Sequence, residues 1–96
     1  MCGITGFIGK GDAGDISRMT RALVHRGPDD HGTFLNQGVG LGHTRLSIID
    51  LSPSGHQPMW NERKDVAIIF NGEIYNFKKL KDNFALEKKY QFQSGT

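Results

Sequence analysis

The sequence has a single cysteine and almost no net charge, and each scarcity excludes a class of protein. One cysteine among 96 residues rules out an internal disulfide framework and a four-thiolate zinc site. Twelve lysines and arginines against ten acids leave a formal charge of +2, far from the basic balance of proteins that bind nucleic acids or anionic membranes. We therefore expect neither a nucleic-acid partner nor a membrane partner.

Long hydrophobic runs are also missing. The longest purely apolar run, residues 66–70, has the length of one strand and falls far short of the ~20 residues of a membrane span. The first nine residues lack the positively charged leader and apolar segment of a signal peptide. The sequence therefore predicts a cytoplasmic protein in a reducing compartment.

The composition that is present is that of a folded protein. Hydrophobic residues make up 36% and charged residues 23%, which is typical of one small domain or of a piece of a larger one. Glycine is abundant, with 13 residues where an average content of ~7% would give about half as many. This excess predicts turns with unusual backbone conformations, or close approach of the backbone to other groups.

Apolar spacing and turn residues predict the elements of the first half. A glycine-bounded apolar stretch predicts a strand over residues 4–8. Residues 16–25 carry apolar side chains at helical spacing after Asp15, a candidate N-cap. Two apolar stretches around residues 36–38 predict a hairpin, and residues 46–51 predict a further strand.

The second half begins with a loop over residues 52–58, which are dense in turn-forming side chains. Residues 66–70 predict a strand that turns at Asn71-Gly72 and returns through residues 74–75. A helix capped by Asn76 and a strand over residues 90–93 are predicted to follow.

Cys2 has two interpretations. It is either a small apolar side chain at the start of a strand or a nucleophile at the chain terminus. Methionine aminopeptidases remove Met1 before small residues such as cysteine, which leaves a thiol and a free α-amine on one residue. An α-amine titrates near pH 7.7–8.0, so one residue would supply both a nucleophile and a base.

Asn71 and Gly72 also have two interpretations. Asn-Gly is a strong hairpin signal with no role beyond geometry. Alternatively, the side-chain amide of Asn71 and the backbone N–H of Gly72 both donate to a developing oxyanion, where losing one donor costs roughly 10²–10³ in rate.

Arg45 lies in an apolar neighbourhood, where a guanidinium requires a planar anionic partner. That partner is either structural, with Asp50 and Glu73 as candidates, or the carboxylate of a ligand. The spacing of the residues leaves both readings open.

No metal site is predicted. The four histidines, at positions 25, 31, 43 and 56, have neither HExxH spacing nor a paired spacing with cysteine or acids. The adjacent acids Asp29 and Asp30 follow Pro28 and are interpreted as part of a turn.

Five segments together resemble the glutaminase domain of the glutamine-hydrolysing asparagine synthetases, a class II glutamine amidotransferase domain of the N-terminal nucleophile type. They occur in the family's order and span nearly the whole chain. In sequence they are residues 1–6 (MCGITG), 25–29 (HRGPD), 42–50 (GHTRLSIID), 55–59 (GHQPM) and 70–76 (FNGEIYN).

The resemblance implies an α+β fold of mainly antiparallel strands, the N-terminal portion of a four-layer αββα sandwich. It implies that residues 1–96 form a partial glutamine amidotransferase type-2 domain. The implied reaction is hydrolysis of glutamine to glutamate and ammonia through a thioester on the N-terminal cysteine.

The resemblance also assigns roles to individual positions. Cys2 corresponds to the nucleophile, and Asn71 and Gly72 correspond to groups that bind glutamine and donate to the oxyanion. The guanidinium of Arg45 corresponds to the group that binds the α-carboxylate of glutamine. Arg26 and Gly27 correspond to residues that support the backbone near the nucleophile. The remaining pocket positions, some of which contribute through their backbone, are Leu46, Ser47, Ile48, Ile49 and Glu73.

The family pattern extends further than this sequence. In the family, an Asp that binds the α-amine of glutamine would come next after Thr96, and a covalently linked synthetase domain that uses ATP and Mg²⁺ follows later. The ammonia acceptor, by default aspartate, would bind there, and the chain itself is expected to hold no cofactor. An inactive fragment or a remnant that only binds glutamine or a partner subunit is the alternative, and a homodimer is left open.

Overall fold

The computed structural model describes residues 1–47 and 53–84. These residues form an α+β fold with antiparallel strands, in agreement with the predicted fold class. Short 3₁₀ turns occur at Val24–Arg26 and Pro53–Gly55. The elements, in chain order, are β1 (Gly3–Ile8), α1 (Ala13–Arg21), β2 (Asp30–Asn36), β3 (Val39–Arg45), β4 (Met59–Trp60), β5 (Ala67–Ile68) and α2 (Phe77–Asn83).

The main sheet contains three antiparallel strands in the order β1-β3-β2. In the central strand, Thr44 lies opposite Gly3 on one side and opposite His31 on the other. The predicted hairpin is confirmed between β2 and β3. Its two turn residues, Gln37 and Gly38, both have positive φ (40° and 82°), which matches the right-handed twist of the flanking strands.

Helix α1 begins earlier than the sequence pattern suggested. Asp12 is the N-cap, and its side chain accepts a hydrogen bond from the backbone N–H of Asp15, whose carboxylate accepts one from the Asp12 N–H. The prediction that Asp15 is the N-cap was therefore wrong, because Asp15 is the third helical residue of a capping box. The helix ends at Arg21 rather than at residue 25, since the apolar period continues into the separate 3₁₀ turn.

The two faces of the sheet are covered by different parts of the chain. Alternation along β3 directs Thr44 toward α1, where its hydroxyl donates to the carbonyl of Leu23 at 3.0 Å and the residue is fully buried. The same alternation directs His43 and Arg45 to the opposite face. There, residues of the segment 53–70 contact the sheet, including Trp60, whose ring meets Phe34 edge to face at 5.0 Å.

The predicted hairpin at Asn71-Gly72 was wrong. Strand β5 pairs with β4 instead, and residues 71–76 contain no strand. The turn between β4 and β5 is held by Asn61, whose side-chain oxygen accepts hydrogen bonds from the N–H groups of Asp65 and Val66, both at 3.0 Å. This asparagine satisfies the backbone of the turn locally, so the apolar stretch folds back on the preceding residues rather than on the following ones.

The other predicted elements of the second half have mixed outcomes. The predicted helix after Asn76 is confirmed as α2, although the side chain of Asn76 makes no capping hydrogen bond. A strand was predicted over residues 46–51, but residues 46 and 47 are not part of a strand in the structure, and residues 48–51 lie outside the described residues. The strand predicted over residues 90–93 also lies outside them. Within the described ranges, no helix is long and apolar enough to cross a membrane.

Candidate functional site

Cys2 lies immediately before β1 and beside the end of β3. Its sulfur is 3.3 Å from the backbone nitrogen of Leu46 and 3.9 Å from the Leu46 carbonyl oxygen. The alternation of β1 puts Cys2 on the same face of the sheet as Ile4, and Ile4 pairs with His43 of β3. The thiol is therefore held, half-buried, on the face opposite α1.

Arg26 and Gly27 contact the same end of the sheet. The Arg26 Nε–H donates to the carbonyl of Cys2 at 3.1 Å. A Cβ atom at Gly27 would lie 2.6 Å from backbone atoms of Thr44 and Arg45, a distance that real Cβ contacts essentially never show. The segment that precedes β2 therefore approaches β3 at van der Waals distance only because residue 27 is glycine.

Arg45 is the last residue of β3 and is only 8% exposed. Its guanidinium lies against Gly55, where a Cβ atom would collide with Nη2. A cleft of about 490 Å³ opens beside it, within the 300–1,000 Å³ range usual for small-molecule sites. The cleft is lined by Asp29, Asp30, Arg45, Ser47, Pro53 and His56.

Asp29 holds the chain on both sides of Leu46. Its backbone N–H donates to the Arg45 carbonyl at 3.0 Å, and its carboxylate accepts from the N–H of Ser47 at 2.8 Å. These bonds fix the direction in which the chain leaves β3, so the backbone on which the predicted pocket depends is anchored at its first residues. Ile48 and Ile49, also predicted for the pocket, lie outside the described residues.

Asp30 and His56 form an ion pair at the wall of the cleft, with 2.6 Å between Oδ2 and Nδ1. Burial raises the pKa of Asp30, but the hydrogen bond and charge of His56, the N–H of His31 and the charge of Arg45 together outweigh it, so the pKa stays below its ordinary value. Neither residue was predicted to have a functional role, although the GHQPM segment contains His56, and the prediction that Asp30 lies in a turn was wrong because it is the first residue of β2. The pair places a negative charge next to the guanidinium of Arg45, opposite Asp30 in the sheet.

Asn71 and Gly72 reach the sheet through the preceding residue, Phe70. The Phe70 carbonyl lies 3.3 Å from Nε2 of His43, and the Phe70 N–H donates to Oε1 of Gln57 at 2.6 Å. Asn71 is half-buried, and Gly72 is exposed. Through this attachment, these two residues lie over the same sheet face as Cys2 and Arg45.

His43 is 1% exposed. The sequence pattern predicted no role for it beyond the absence of metal-site spacing among the four histidines. Burial lowers its pKa, and the hydrogen bond to Phe70 only partly opposes this. The ring is therefore neutral at pH 7, and Nε2 must carry the proton because a carbonyl can only accept. Nδ1 is buried and has no hydrogen-bond partner among the described residues.

The predicted site residues thus divide into two groups. Those at the β3 end touch one another: Cys2, Arg26, Gly27, Arg45 and Leu46. Asn71 and Gly72 join them indirectly through Phe70, and Glu73 follows as an exposed residue. Among residues 1–47 and 53–84, no three His, Cys, Asp or Glu side chains are grouped closely enough to hold a metal ion.

Comparisons with known proteins identify the family of this chain. The family model described as a glutamine amidotransferase domain matches residues 1–96. A Methanocaldococcus jannaschii protein, assigned by name to the glutamine-hydrolysing asparagine synthetases, is 45% identical over 91% of this chain and 21% of its own length. The Arabidopsis thaliana protein named asparagine synthetase [glutamine-hydrolyzing] 3 is 42% identical over 100% of this chain and 17% of its own length.

A third relative has a different name. The Gibberella zeae protein named amidase chry2 is 41% identical over 94% of this chain and 16% of its own length. The chain thus spans about a fifth or less of the length of these relatives. The match over every residue and the identities above 40% show that this chain belongs to the glutamine amidotransferase domain family.

Proposed function

We propose that this chain hydrolyses glutamine to glutamate and ammonia, with Cys2 as the nucleophile after removal of Met1. The observation that carries the proposal is the position of the Cys2 sulfur, 3.3 Å from the Leu46 N–H at the end of the strand that supplies Arg45. Met1 is 72% exposed, so an aminopeptidase can reach it. A free α-amine on Cys2 would then be available as the base.

The chemistry balances on this residue. The α-amine takes the thiol proton, the sulfur attacks the side-chain amide carbon of glutamine, and the carbonyl electron pair moves to oxygen. When the C=O bond re-forms, the C–N bond breaks, the nitrogen takes the proton and ammonia leaves. Water then attacks the thioester, which releases glutamate and restores the thiol.

Arg45 would bind the α-carboxylate of the substrate. A nearly buried guanidinium at the floor of an open cleft can form two parallel hydrogen bonds to a carboxylate, and few other side chains can. Contact with Gly55 and the neighbouring charge of Asp30 restrict where the guanidinium can go. The backbone of residues 46–49 and the side chain of Glu73 would form the rest of the pocket.

Asn71 and Gly72 would stabilise the oxyanion by donating from the side-chain amide and the backbone N–H. Arg26 would act as a support, since its hydrogen bond to the Cys2 carbonyl fixes the backbone that carries the thiol. Gly27 would contribute by letting that segment approach β3. Each of these groups would hold the nucleophile or the developing charge in place and would not itself react.

In a longer protein of the kind named among the relatives, the ammonia would pass to a covalently linked synthetase domain that uses ATP and Mg²⁺. Two of the relatives named above are asparagine synthetases by name, and one is an amidase. We propose aspartate as the acceptor, with ATP and Mg²⁺ bound outside the residues of this chain.

The test is covalent labelling at Cys2 together with ammonia release. Protein expressed from the complete gene should have lost Met1 by intact mass, react with a glutamine-like electrophile at Cys2, and release ammonia from glutamine. Cys2→Ser and Cys2→Ala should abolish both labelling and release. Unchanged ammonia release from Cys2→Ala would refute the proposal.

The role of the α-amine has its own control. Protein produced while methionine aminopeptidase is inhibited retains Met1, so the Cys2 nitrogen is an amide and cannot accept a proton. Its rate should fall by about 10²–10⁴, the usual contribution of a general base. If wild-type protein without Met1 releases no ammonia, the alternative of a non-catalytic remnant that binds glutamine or a partner subunit is favoured.

A further inference from the structure

Phe70 immediately precedes Asn71 and Gly72, and side chains bind both backbone polar groups of Phe70. The N–H donates to Oε1 of Gln57 at 2.6 Å, and the carbonyl accepts from Nε2 of His43 at 3.3 Å. Neither bond belongs to a helix or a strand ladder. Two side chains from separate parts of the chain therefore hold the peptide groups on either side of Phe70.

His43 is fixed by the sheet from which it extends. It lies in the central strand, with Ile4 opposite on β1 and Gly32 opposite on β2, and it is 1% exposed. A buried ring in the middle strand cannot move without disturbing the packing around it. The Phe70 carbonyl is therefore held against the central strand of the sheet.

Gln57 is fixed in a different way. Its backbone carbonyl lies so close to Gly32 that a Cβ atom at residue 32 would collide with it. The loop that carries Gln57 thus rests directly on β2, and the loop position depends on the absence of a side chain there. Through Gln57, the Phe70 N–H is therefore held against β2, on the same face of the sheet as His43.

The ring of His43 holds this bond at a cost. Its Nδ1 is buried with no hydrogen-bond partner among the described residues, and such a group costs about 1–3 kcal/mol. An apolar side chain of similar size would avoid that cost in this position. A histidine here is explained if its Nε2–H is needed at the Phe70 carbonyl.

Gly72, two residues further on, lies close to the Phe70 ring. The Phe70 ring lies 3.0 Å from the position that a Cβ atom of Gly72 would occupy. Residues 70–72 are therefore folded tightly together, and a displacement of Phe70 is transmitted to the two donors that follow it. Donors that stabilise an oxyanion must be held at a set distance from the place where the charge develops.

We propose that His43 and Gln57 are positioning residues that clamp the backbone of Phe70 and thereby align the Asn71 amide and the Gly72 N–H with the oxyanion. The inference rests on the proposed glutaminase function. Neither side chain touches the substrate in this scheme. Their loss should weaken the stabilisation of the tetrahedral intermediate and leave the binding of ground-state glutamine unchanged.

The test uses variants that differ only in hydrogen bonding. His43→Leu and Gln57→Met keep the approximate volume but remove the donor and the acceptor, whereas His43→Gln and Gln57→Glu restore them. His31→Leu and Gln37→Met make the matched changes at exposed positions. Protein expressed from the complete gene, without Met1, is used throughout.

The expected result is a loss of kcat at constant KM. His43→Leu and Gln57→Met should each lower the kcat for ammonia release roughly 10–100-fold, the range expected from a small misplacement of catalytic groups. His43→Gln and Gln57→Glu should recover most of the loss, and the exposed controls should match wild type.

A second readout separates alignment from a general structural effect. The aldehyde analogue of glutamine adds the Cys2 sulfur at its carbonyl carbon, and its oxygen becomes the tetrahedral alkoxide. Inhibition by this aldehyde should weaken by the same factor as kcat in His43→Leu and Gln57→Met. Inhibition by the product glutamate should be unchanged, because glutamate makes no such oxyanion.

Two outcomes overturn the inference alone. One is an unchanged kcat in both His43→Leu and Gln57→Met while wild type releases ammonia in a Cys2-dependent manner. The other is an equal loss of glutamate and aldehyde binding that His43→Gln and Gln57→Glu do not rescue. If His43→Leu fails to fold, the half-buried Gln57 pair decides the matter. A wild type without Cys2-dependent ammonia release overturns the proposed function and this inference together.

Discussion

Replacing Gly27 with alanine should loosen the end of β3 on which the candidate site depends. The backbone at Gly27 has φ −155° and ψ 85°, a region open to alanine, so the effect of the change is steric. The added methyl carbon would lie 2.6 Å from the N and C atoms of Arg45 and from the C atom of Thr44. All three are backbone atoms of a central strand and cannot rotate away.

The size of the effect follows from that distance. Carbon atoms in contact normally lie about 3.5–4.0 Å apart, so the strand and the 24–27 segment must separate by roughly 1 Å. Forcing an extra methyl group into a packed site costs about 1–3 kcal/mol. At 1.4 kcal/mol for each factor of ten, local opening of β3 should become about 5- to 150-fold more frequent.

Hydrogen exchange followed by mass spectrometry measures this opening directly in the protein expressed from the complete gene. Amides in peptides that cover Val39–Arg45 should exchange faster by the stated factor. Gly14→Ala is the matched control. Its methyl group would meet only the side-chain ends of Asp12 and Arg18, at 3.1 and 3.2 Å, and alanine is favoured over glycine in a helix by up to ~1 kcal/mol.

Gly14→Ala should therefore leave exchange in β3 unchanged, because its methyl group would meet side-chain atoms of Asp12 and Arg18 and no atom of the sheet. The reasoning is refuted if Gly27→Ala exchanges at the wild-type rate throughout β3.

Two further predictions concern buried polar groups of β3. Burial lowers the pKa of His43, so the unfolded chain binds more protons than the folded chain near and below pH 6.5, and conformational stability should fall as the pH drops through that range. The unfolding midpoints measured at pH 7.5 and 5.5 should differ more in wild type than in His43→Gln. Equal differences in the two proteins would contradict the assignment. Thr44→Val removes the hydrogen bond that a fully buried hydroxyl donates to the Leu23 carbonyl, which keeps its second bond from the Arg26 N–H, and the change should cost about 0.5–1.5 kcal/mol in urea unfolding. The same change at the exposed Thr33 of β2 should alter stability by less than ~0.5 kcal/mol, and equal effects of the two changes would show that the Thr44 bond contributes nothing.

Features encoded by neighbouring residues were predicted well. The first strand, the β2–β3 hairpin and α2 each depend on a contiguous pattern of apolar residues and turn formers, which acts over a few residues. The errors at Asp15 and at the Asn71-Gly72 turn arose where two local signals competed. Asp12 also fits the N-cap position, and Asn61 also fits a turn, and only the completed hydrogen bonds decide between such candidates.

The sequence by itself determined the family, because its motifs retain their order and their residue types wherever the chain goes in space. Only the tertiary structure decided which of these residues meet. Cys2 and Leu46 touch across 44 positions of sequence, and no local pattern predicts that distance. The same holds for the clamp on Phe70, because His43 and Gln57 reach it from the sheet and from a loop, and a hydrogen bond depends on where two groups lie in space and not on their separation along the chain.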